Sequence, residues 1–108
     1  MATLTVETLS LTGLNATYNA VSASDEFANN GNIYIHVKNG DVSANTVSIT
    51  TPKTFEGLAV ADAGGSVPAG EDRFFGPFKP GLFNDASGNV TVTHSNTTSN
   101  TIAVIKLA

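Results

Sequence analysis

Residues 31–40 alternate apolar and polar side chains with a period of two, and glycine closes the segment at both ends. The apolar positions are Ile33, Ile35 and Val37, and the polar positions are Tyr34, His36 and Lys38. An extended chain places successive side chains on opposite faces, so this pattern requires a β-strand with one buried and one solvated face. Short segments of the same kind, separated by Gly, Asn and Pro turns, continue to the end of the chain. A sheet-rich protein is therefore the first expectation.

The number and spacing of these segments predict the fold class. About seven to eight short strands at roughly 8–12-residue spacing are typical of an antiparallel β-sandwich or barrel. A chain of 108 residues has room for one such domain. We assign residues 1–108 to a single all-β domain, with residues 1–5 as a candidate extended N-terminal arm. The predicted core consists of Ile33, Ile35, Val37, Val47, Ile49, Val90 and Val92.

Four local patterns add detail to this fold. Residues 22–28 offer Ser and Asp as capping residues and predict one helical turn. Asn39-Gly40 is a dipeptide preferred in type I′ turns and predicts a hairpin at this point. Residues 58–61 predict a weak strand. Residues 101–107 are apolar at both parities, so this last strand is expected to lie centrally in a sheet or against another protein.

The charge balance argues against nucleic acid as a partner. The net charge is −4 and the five Lys and Arg residues are scattered along the chain, whereas phosphate binding needs clustered basic residues. Cysteine is absent, which excludes disulfides and thiolate metal sites. No apolar run approaches the length of a membrane span, so no membrane partner is expected.

The side chains that could carry chemistry are few and do not converge. His36 lies on the polar face of its strand and His94 ends another strand. Both are expected to be solvated imidazoles, because a metal site would need a third ligand. The adjacent carboxylates at 25–26 and 71–72 point to opposite faces of an extended chain and are expected to act as solubilising charge. We therefore predict no enzymatic activity, no catalytic, cofactor-binding or metal-binding residue, and no cofactor.

A cluster of phenylalanines is the strongest candidate for an interaction surface. Phe74 and Phe75 must face opposite sides of an extended segment, so only one ring can enter the same core layer. The other ring is either covered by loops or offered to a partner, as aromatic anchors often are at interfaces. The last strand carries more apolar surface than one core can obviously absorb. The uncharged start of the chain could add itself to a neighbour as an edge strand. The candidate protein-interaction residues are Thr3, Leu4, Phe74, Phe75, Phe78, Ile102 and Val104.

Several turn and strand signatures occur in succession along the chain. They are Asn30-Gly31, Ile35-His36-Val37-Lys38-Asn39-Gly40, Val67-Pro68-Ala69-Gly70-Glu71, Gly76-Pro77-Phe78 and Gly88-Asn89-Val90-Thr91-Val92. Together they resemble the small virion proteins of tailed bacteriophages, of the capsid decoration or cement type. The resemblance implies a structural protein of the virion, made in the host cytoplasm, that binds the outer surface of an assembled capsid and stabilises it. It also implies the major capsid protein or other virion proteins as partners, and a homo-oligomer.

Two other functions remain open from the sequence. A neck, tail or fibre component of the virion has the same composition. A β-sandwich module that binds carbohydrate or a cell surface is the alternative outside virion structure. Such modules usually present aromatic platforms, and this chain has no Trp and only two Tyr residues.

Overall fold

The structure is a computed structural model that describes residues 2–59 and 61–107. Met1 of the expected arm, Val60 of the weak strand expected at 58–61, and the last residue lie outside the described residues. The described chain forms short strands and one helical turn. The strands are β1 (Ala2–Thr3), β2 (Val6–Thr8), β3 (Asn19–Ala20), β4 (Ser24–Ala28), β5 (Ile33–Asn39), β6 (Asn45–Ile49), β7 (Thr54–Phe55), β8 (Leu58–Ala59), β9 (Ala63–Val67), β10 (Asp72–Phe75), β11 (Asn89–His94) and β12 (Asn100–Lys106), and the helix is α1 (Pro80–Phe83).

The strands build two sheets, which confirms the all-β fold predicted from the alternation. The first sheet has the order β1-β4-β11-β6-β9, and the second has the order β10-β5-β12-β2 with β3 paired to β12. Strands β7 and β8 form a separate two-stranded hairpin. Most pairs are antiparallel, and the pairs β1–β4 and β2–β12 are parallel. The two sheets pack as a sandwich around one apolar core.

The core contains all seven residues predicted for it. Strand β5 turns Ile33, Ile35 and Val37 inward, and the last two are fully buried. Strands β6 and β11 of the other sheet supply the facing residues Val47, Ile49, Val90 and Val92. Each fully buried side chain of this size contributes about 1.5–3 kcal/mol through the hydrophobic effect. This packing fixes which face of each strand points outward.

Strand β12 lies between β5 and β2, as its mixed apolar pattern predicted. Ile102 and Val104 belong to the core between the sheets. Ala103 and Ile105 alternate with them and therefore face the other side of the sheet, where they are also buried. The domain itself therefore covers both faces of its last strand.

Two local predictions were wrong. Residues 24–28 form strand β4 instead of a helical turn, because each of them pairs across the sheet with β11 in a regular ladder. The Asn39-Gly40 dipeptide does not close a hairpin. Strand β5 already has β10 on one side and β12 on the other, so the chain must cross to the other sheet to form β6.

The start of the chain is divided between the two sheets. Ala2 and Thr3 pair in parallel with β4 of the same molecule, opposite Asp25 and Glu26. Leu4 is buried in the core, and β2 then pairs with β12 in the second sheet. The described part of the expected arm therefore lies against its own domain. Among residues 2–59 and 61–107, no helix has the length and apolar character to cross a bilayer.

Candidate protein-interaction face

The residues predicted to bind a partner are spread over the molecule. Leu4, Phe78, Ile102 and Val104 are core side chains. Phe75 is half-buried and packs against that core. Thr3 is exposed on the edge of the first sheet, where its Oγ1 donates to Glu26 Oε1 at 3.4 Å. Phe74 is 63% exposed on β10 of the second sheet, so only Phe74 of the predicted aromatic residues presents its ring to solvent.

The exposed Phe74 ring is held in place by its neighbours on β5. Phe74 lies opposite His36 in the β10–β5 ladder. The two rings stack with their centroids 4.0 Å apart and an interplanar angle of 9°. The Tyr34 ring also lies near Phe74, tilted by 53° to it and with a centroid distance of 5.9 Å. An aromatic side chain that is both exposed and stacked is already ordered before it meets a partner.

His36 is buried and hydrogen-bonded at both ring nitrogens, which corrects its prediction as a solvated imidazole. Its Nε2 donates to Asp72 Oδ2 at 2.7 Å, and its Nδ1 accepts from Tyr18 Oη at 2.7 Å. The Tyr18 ring meets the imidazole edge-on, and Lys38 Nζ lies 3.9 Å above the centre of the Tyr18 ring. We call Tyr18, Tyr34, His36, Asp72 and Phe74 the aromatic face.

The hydrogen bonds of the aromatic face suit a rigid platform better than a reactive group. Burial raises the pKa of the Tyr18 hydroxyl above its ordinary value, and the negative charges of Asp72 and Glu7 raise it further. A phenol with a raised pKa stays protonated at neutral pH and remains the donor to His36. The arrangement therefore orients Phe74 instead of activating Tyr18 as a nucleophile.

A groove opens at the end of the aromatic face. It has a volume of about 450 Å³ and is lined mainly by apolar side chains. Its walls include Asn32, Tyr34, Phe74, Phe75, Pro77 and Leu107. Leu107 is itself 46% exposed. We call this cavity the Phe74 groove.

A second set of polar side chains lies inside the sandwich, at one end of the core. We call Asp25, Asn39, Asn45, His94 and Asn100 the polar layer; all of them are buried. Asn45 Nδ2 donates to His94 Nδ1 at 3.0 Å and to Asn100 Oδ1 at 3.1 Å. Asn100 Nδ2 in turn donates to Asn39 Oδ1 at 3.1 Å. Because Asn45 and His94 belong to one sheet and Asn39 and Asn100 to the other, the bond from Asn45 to Asn100 joins the two sheets.

His94 is the incompletely bonded member of the polar layer. Since its Nδ1 accepts from Asn45, the ring proton is on Nε2, which has no hydrogen-bond partner among the described residues. The nearest carboxylate oxygen, Asp25 Oδ2, lies 4.0 Å from it. Burial lowers the pKa of His94, and the charge of Asp25 opposes that shift. Both residues were predicted at the surface, and both predictions were wrong.

Asp25 has its own set of donors inside the first sheet. Ser22 donates to it through the backbone N–H, at 3.1 Å from Oδ2, and through its hydroxyl group. These bonds satisfy a carboxylate that is fully buried, which would otherwise be costly. Within the described ranges, no group of three or more His, Cys, Asp or Glu side chains is arranged to hold a metal ion.

Reasoning from the sequence missed the partners of Phe74. The sequence does contain a signal for the burial of the polar layer. Each member of that layer is in phase with buried apolar residues of its strand: Asn39 follows Ile33, Ile35 and Val37 with the same period of two. His94 follows Val90 and Val92 in the same way. Continuing the alternation by one step would have placed both residues inside. No comparable signal pairs Phe74 with His36.

Comparison of the chain with protein-family models, with curated proteins and with solved structures found no significant match.

Proposed function

We propose that this protein is a structural protein of a bacteriophage virion that binds the outer surface of the assembled capsid and stabilises it. The proposal comes from the resemblance of its turn and strand signatures to decoration proteins. The observation that supports it is the aromatic face, where an exposed Phe74 ring is ordered by stacking on His36. Ordered, exposed aromatic rings are typical anchors of protein interfaces, because little conformational entropy is lost when they are buried.

Repetition strengthens such a contact on a capsid. The lattice offers many identical sites, and a protein that is itself an oligomer can occupy several of them at once. Linked binding events then reach a high overall affinity even when each contact is weak. Repetition therefore lowers the affinity that each Phe74 contact must supply for stable decoration.

The test is binding to capsids assembled without this protein. Purified protein is mixed with such capsids, and we measure co-sedimentation and the temperature at which the capsids release their DNA. Saturable binding that raises the disruption temperature supports decoration. Failure to bind capsids, together with incorporation into isolated necks, tails or fibres, assigns the protein to that other virion role.

Carbohydrate binding is the second candidate, and one observation favours it. The Phe74 groove combines the three aromatic rings of Tyr34, Phe74 and Phe75 with the polar side chain of Asn32, and small-molecule sites commonly join apolar walls to a few polar groups. A glycan array probed with the protein and with Phe74→Ala separates the two functions. Glycan binding that depends on Phe74, without capsid binding, supports the carbohydrate module.

A further inference from the structure

The dipeptide Asn-Gly occurs twice in this chain, at residues 30–31 and 39–40. Both copies have the same intrinsic chemistry, because the backbone nitrogen of the glycine can attack the side-chain amide carbon of the asparagine. Glycine has no Cβ to obstruct the attack, and its backbone reaches conformations that other residues rarely adopt. The structure around each copy therefore decides whether the reaction takes place in the folded protein.

The structure holds Asn39 in a position that blocks this reaction. Asn39 is 2% exposed. Its leaving nitrogen, Nδ2, donates to the carbonyls of Ser43 at 2.8 Å and Val67 at 3.1 Å, and its Oδ1 accepts two further hydrogen bonds. The attacking nitrogen is also bonded, since the Gly40 N–H donates to the carbonyl of Ser99 at 2.8 Å. Reaction at Asn39 therefore requires local unfolding.

Asn30 lies in the turn between β4 and β5, where fewer bonds hold it. It is exposed, and its Nδ2 has no hydrogen-bond partner in the part of the chain that the structure describes. Its Oδ1 accepts one bond, from the Asn32 N–H at 3.1 Å. The Gly31 N–H donates to the side-chain oxygen of Asn29 at 3.0 Å. Neither bond belongs to a sheet ladder, so both can open without unfolding either sheet.

The turn also orients the two groups that react. The bond from the Asn32 N–H to Asn30 Oδ1 closes an Asx turn, and the ring that it closes contains the Gly31 nitrogen. The side-chain carbonyl of Asn30 is thereby turned towards the peptide that follows it. Gly31 has a φ of 97°, which residues with a Cβ rarely adopt. The turn therefore requires glycine at the position that makes Asn30 most reactive.

We propose that Asn30 is a site of spontaneous deamidation in the folded protein, and that the fold protects Asn39 from the same reaction. The Gly31 nitrogen loses its proton and forms a bond to Asn30 Cγ. The bond from Cγ to Nδ2 breaks, and this nitrogen takes up a proton and leaves as ammonia. The cyclic imide then takes up one water molecule and opens at either of its two carbonyl carbons, which gives aspartate or isoaspartate.

The products change the turn in two ways. Each replaces a neutral amide by a carboxylate, so the net charge becomes one unit more negative than −4. In isoaspartate the main chain runs through the former side chain and is longer by one methylene group. The modified turn comes directly before Asn32, whose carbonyl accepts from the Leu107 N–H at 2.9 Å. Both of these residues line the Phe74 groove, so the modification lies beside one wall of that groove.

The first arm of the test compares the two asparagines within one chain. The unchanged protein is incubated in mildly alkaline buffer, once folded and once in urea, until Asn30 is half converted in the urea sample. Cleavage after Lys38 places Asn30 and Asn39 on separate peptides, and mass spectrometry measures the converted fraction of each. In urea the two should convert at similar rates. In the folded protein Asn30 should convert at least about tenfold faster than Asn39, because only Asn39 must wait for local unfolding.

The second arm assigns the acidic form of the intact protein. Asn30→Gln slows the reaction, because attack on the longer side chain forms a less favourable six-membered ring. Ion-exchange chromatography of the incubated Asn30→Gln variant should show no early accumulation of a more acidic form. Asn15→Gln is the matched control, because Asn15 is also exposed but is followed by Ala16. This variant should accumulate the acidic form like the unchanged protein.

Two results would overturn the proposal. Equal conversion of Asn30 and Asn39 in the folded protein would show that the fold does not distinguish them. An Asn30 that converts in urea and stays intact in the folded protein would show that the turn protects it. Neither measurement uses capsids, so the outcome is independent of the proposed function.

Discussion

The two histidines of this protein are equally buried but differ in their surroundings. His36 is 6% exposed and His94 is 8% exposed. His36 lies under Phe74 on the outside of the second sheet, and both of its nitrogens are bonded to side chains that reach solvent. His94 lies between the sheets, bonded through one nitrogen to Asn45 and unbonded at the other. The comparison shows that burial alone does not determine the role of a histidine.

The aromatic face and the polar layer differ in whether water can hydrate the groups that are freed when a hydrogen bond breaks. If a bond of His36 is broken, the freed groups of Tyr18 and Asp72 can be hydrated, because Asp72 is 55% exposed. If a bond of the polar layer is broken, the freed groups remain inside the core. Leaving a buried polar group unsatisfied costs about 1–3 kcal/mol, more than the net value of an ordinary hydrogen bond. Changes in the polar layer should therefore affect stability more than changes in the aromatic face.

The largest effect is expected for Asn45→Ala. This substitution leaves His94 Nδ1, Asn100 Oδ1 and the backbone N–H of Asn96 without their partner. We expect a loss of about 3 kcal/mol in the free energy of unfolding, measured by urea denaturation. Thr46→Ala, at the adjacent exposed position, is the control and should change stability by less than about 0.5 kcal/mol. Equal effects of the two variants would show that the polar layer does not join the sheets.

His36→Ala should have a smaller effect, about 1–2 kcal/mol, because the partners it leaves behind can be hydrated. It should also disorder the Phe74 ring, which loses its stacking partner. Urea denaturation measures the first effect, and NMR relaxation of the Phe74 ring measures the second. A loss of stability larger than that of Asn45→Ala would reverse the ranking of the two regions.

The third prediction concerns pH. Because burial lowers the pKa of His94 in the folded protein below 6.5, the unfolded chain takes up a proton first as the pH falls. The contribution of His94 to stability is therefore complete above pH 6.5 and is lost as the pH falls from there towards the folded pKa. The slope in that interval is at most about 1.4 kcal/mol per pH unit.

His94→Gln isolates this contribution. Urea denaturation between about pH 7.5 and about pH 5, roughly one unit or more on each side of the ordinary pKa of His, should show a shallower loss of stability for the variant than for the unchanged protein. Asp25 faces His94 and is kept in both proteins. Parallel curves for the two proteins would contradict the assignment of His94 as a buried neutral imidazole.

The smallest effect is expected for Tyr18→Phe, which removes one partly solvated hydrogen bond to His36. A loss of about 0.5–1 kcal/mol is expected. Ultraviolet titration gives a more specific measurement, since burial raises the pKa of Tyr18 above 10.0. The variant should lose the late-titrating phenol. Persistence of that late transition in Tyr18→Phe would contradict its assignment to Tyr18.

Sequence predicted the inward faces of the strands well because that pattern is local. Side chains alternate along any extended chain, so the core positions of β5, β6 and β11 follow from neighbouring residues. The same reasoning explains the error at His94. Its position in phase with Val90 and Val92 indicates burial, whereas the expectation of a solvated imidazole follows from its polarity alone.

Pairing between distant strands was not contained in any local pattern. His36 and Asp72 are 36 residues apart, and Asn39 and Asn100 are 61 residues apart. Such contacts form only when the sheets have a definite strand order, which depends on the free energy of the whole core. The Asn39-Gly40 dipeptide illustrates this, because its preference for a tight turn was overridden once β10 and β12 occupied both edges of β5.

The sequence by itself determined the all-β class, the inward faces of the main strands and the opposite orientation of the Phe74 and Phe75 side chains, since these depend on backbone geometry alone. Only the tertiary structure decided that the exposed ring is Phe74 and that it stacks on His36. It also decided that the buried polar residues of the two sheets meet in one layer. Each of these features needs two or more strands in register, and register is a property of the folded core.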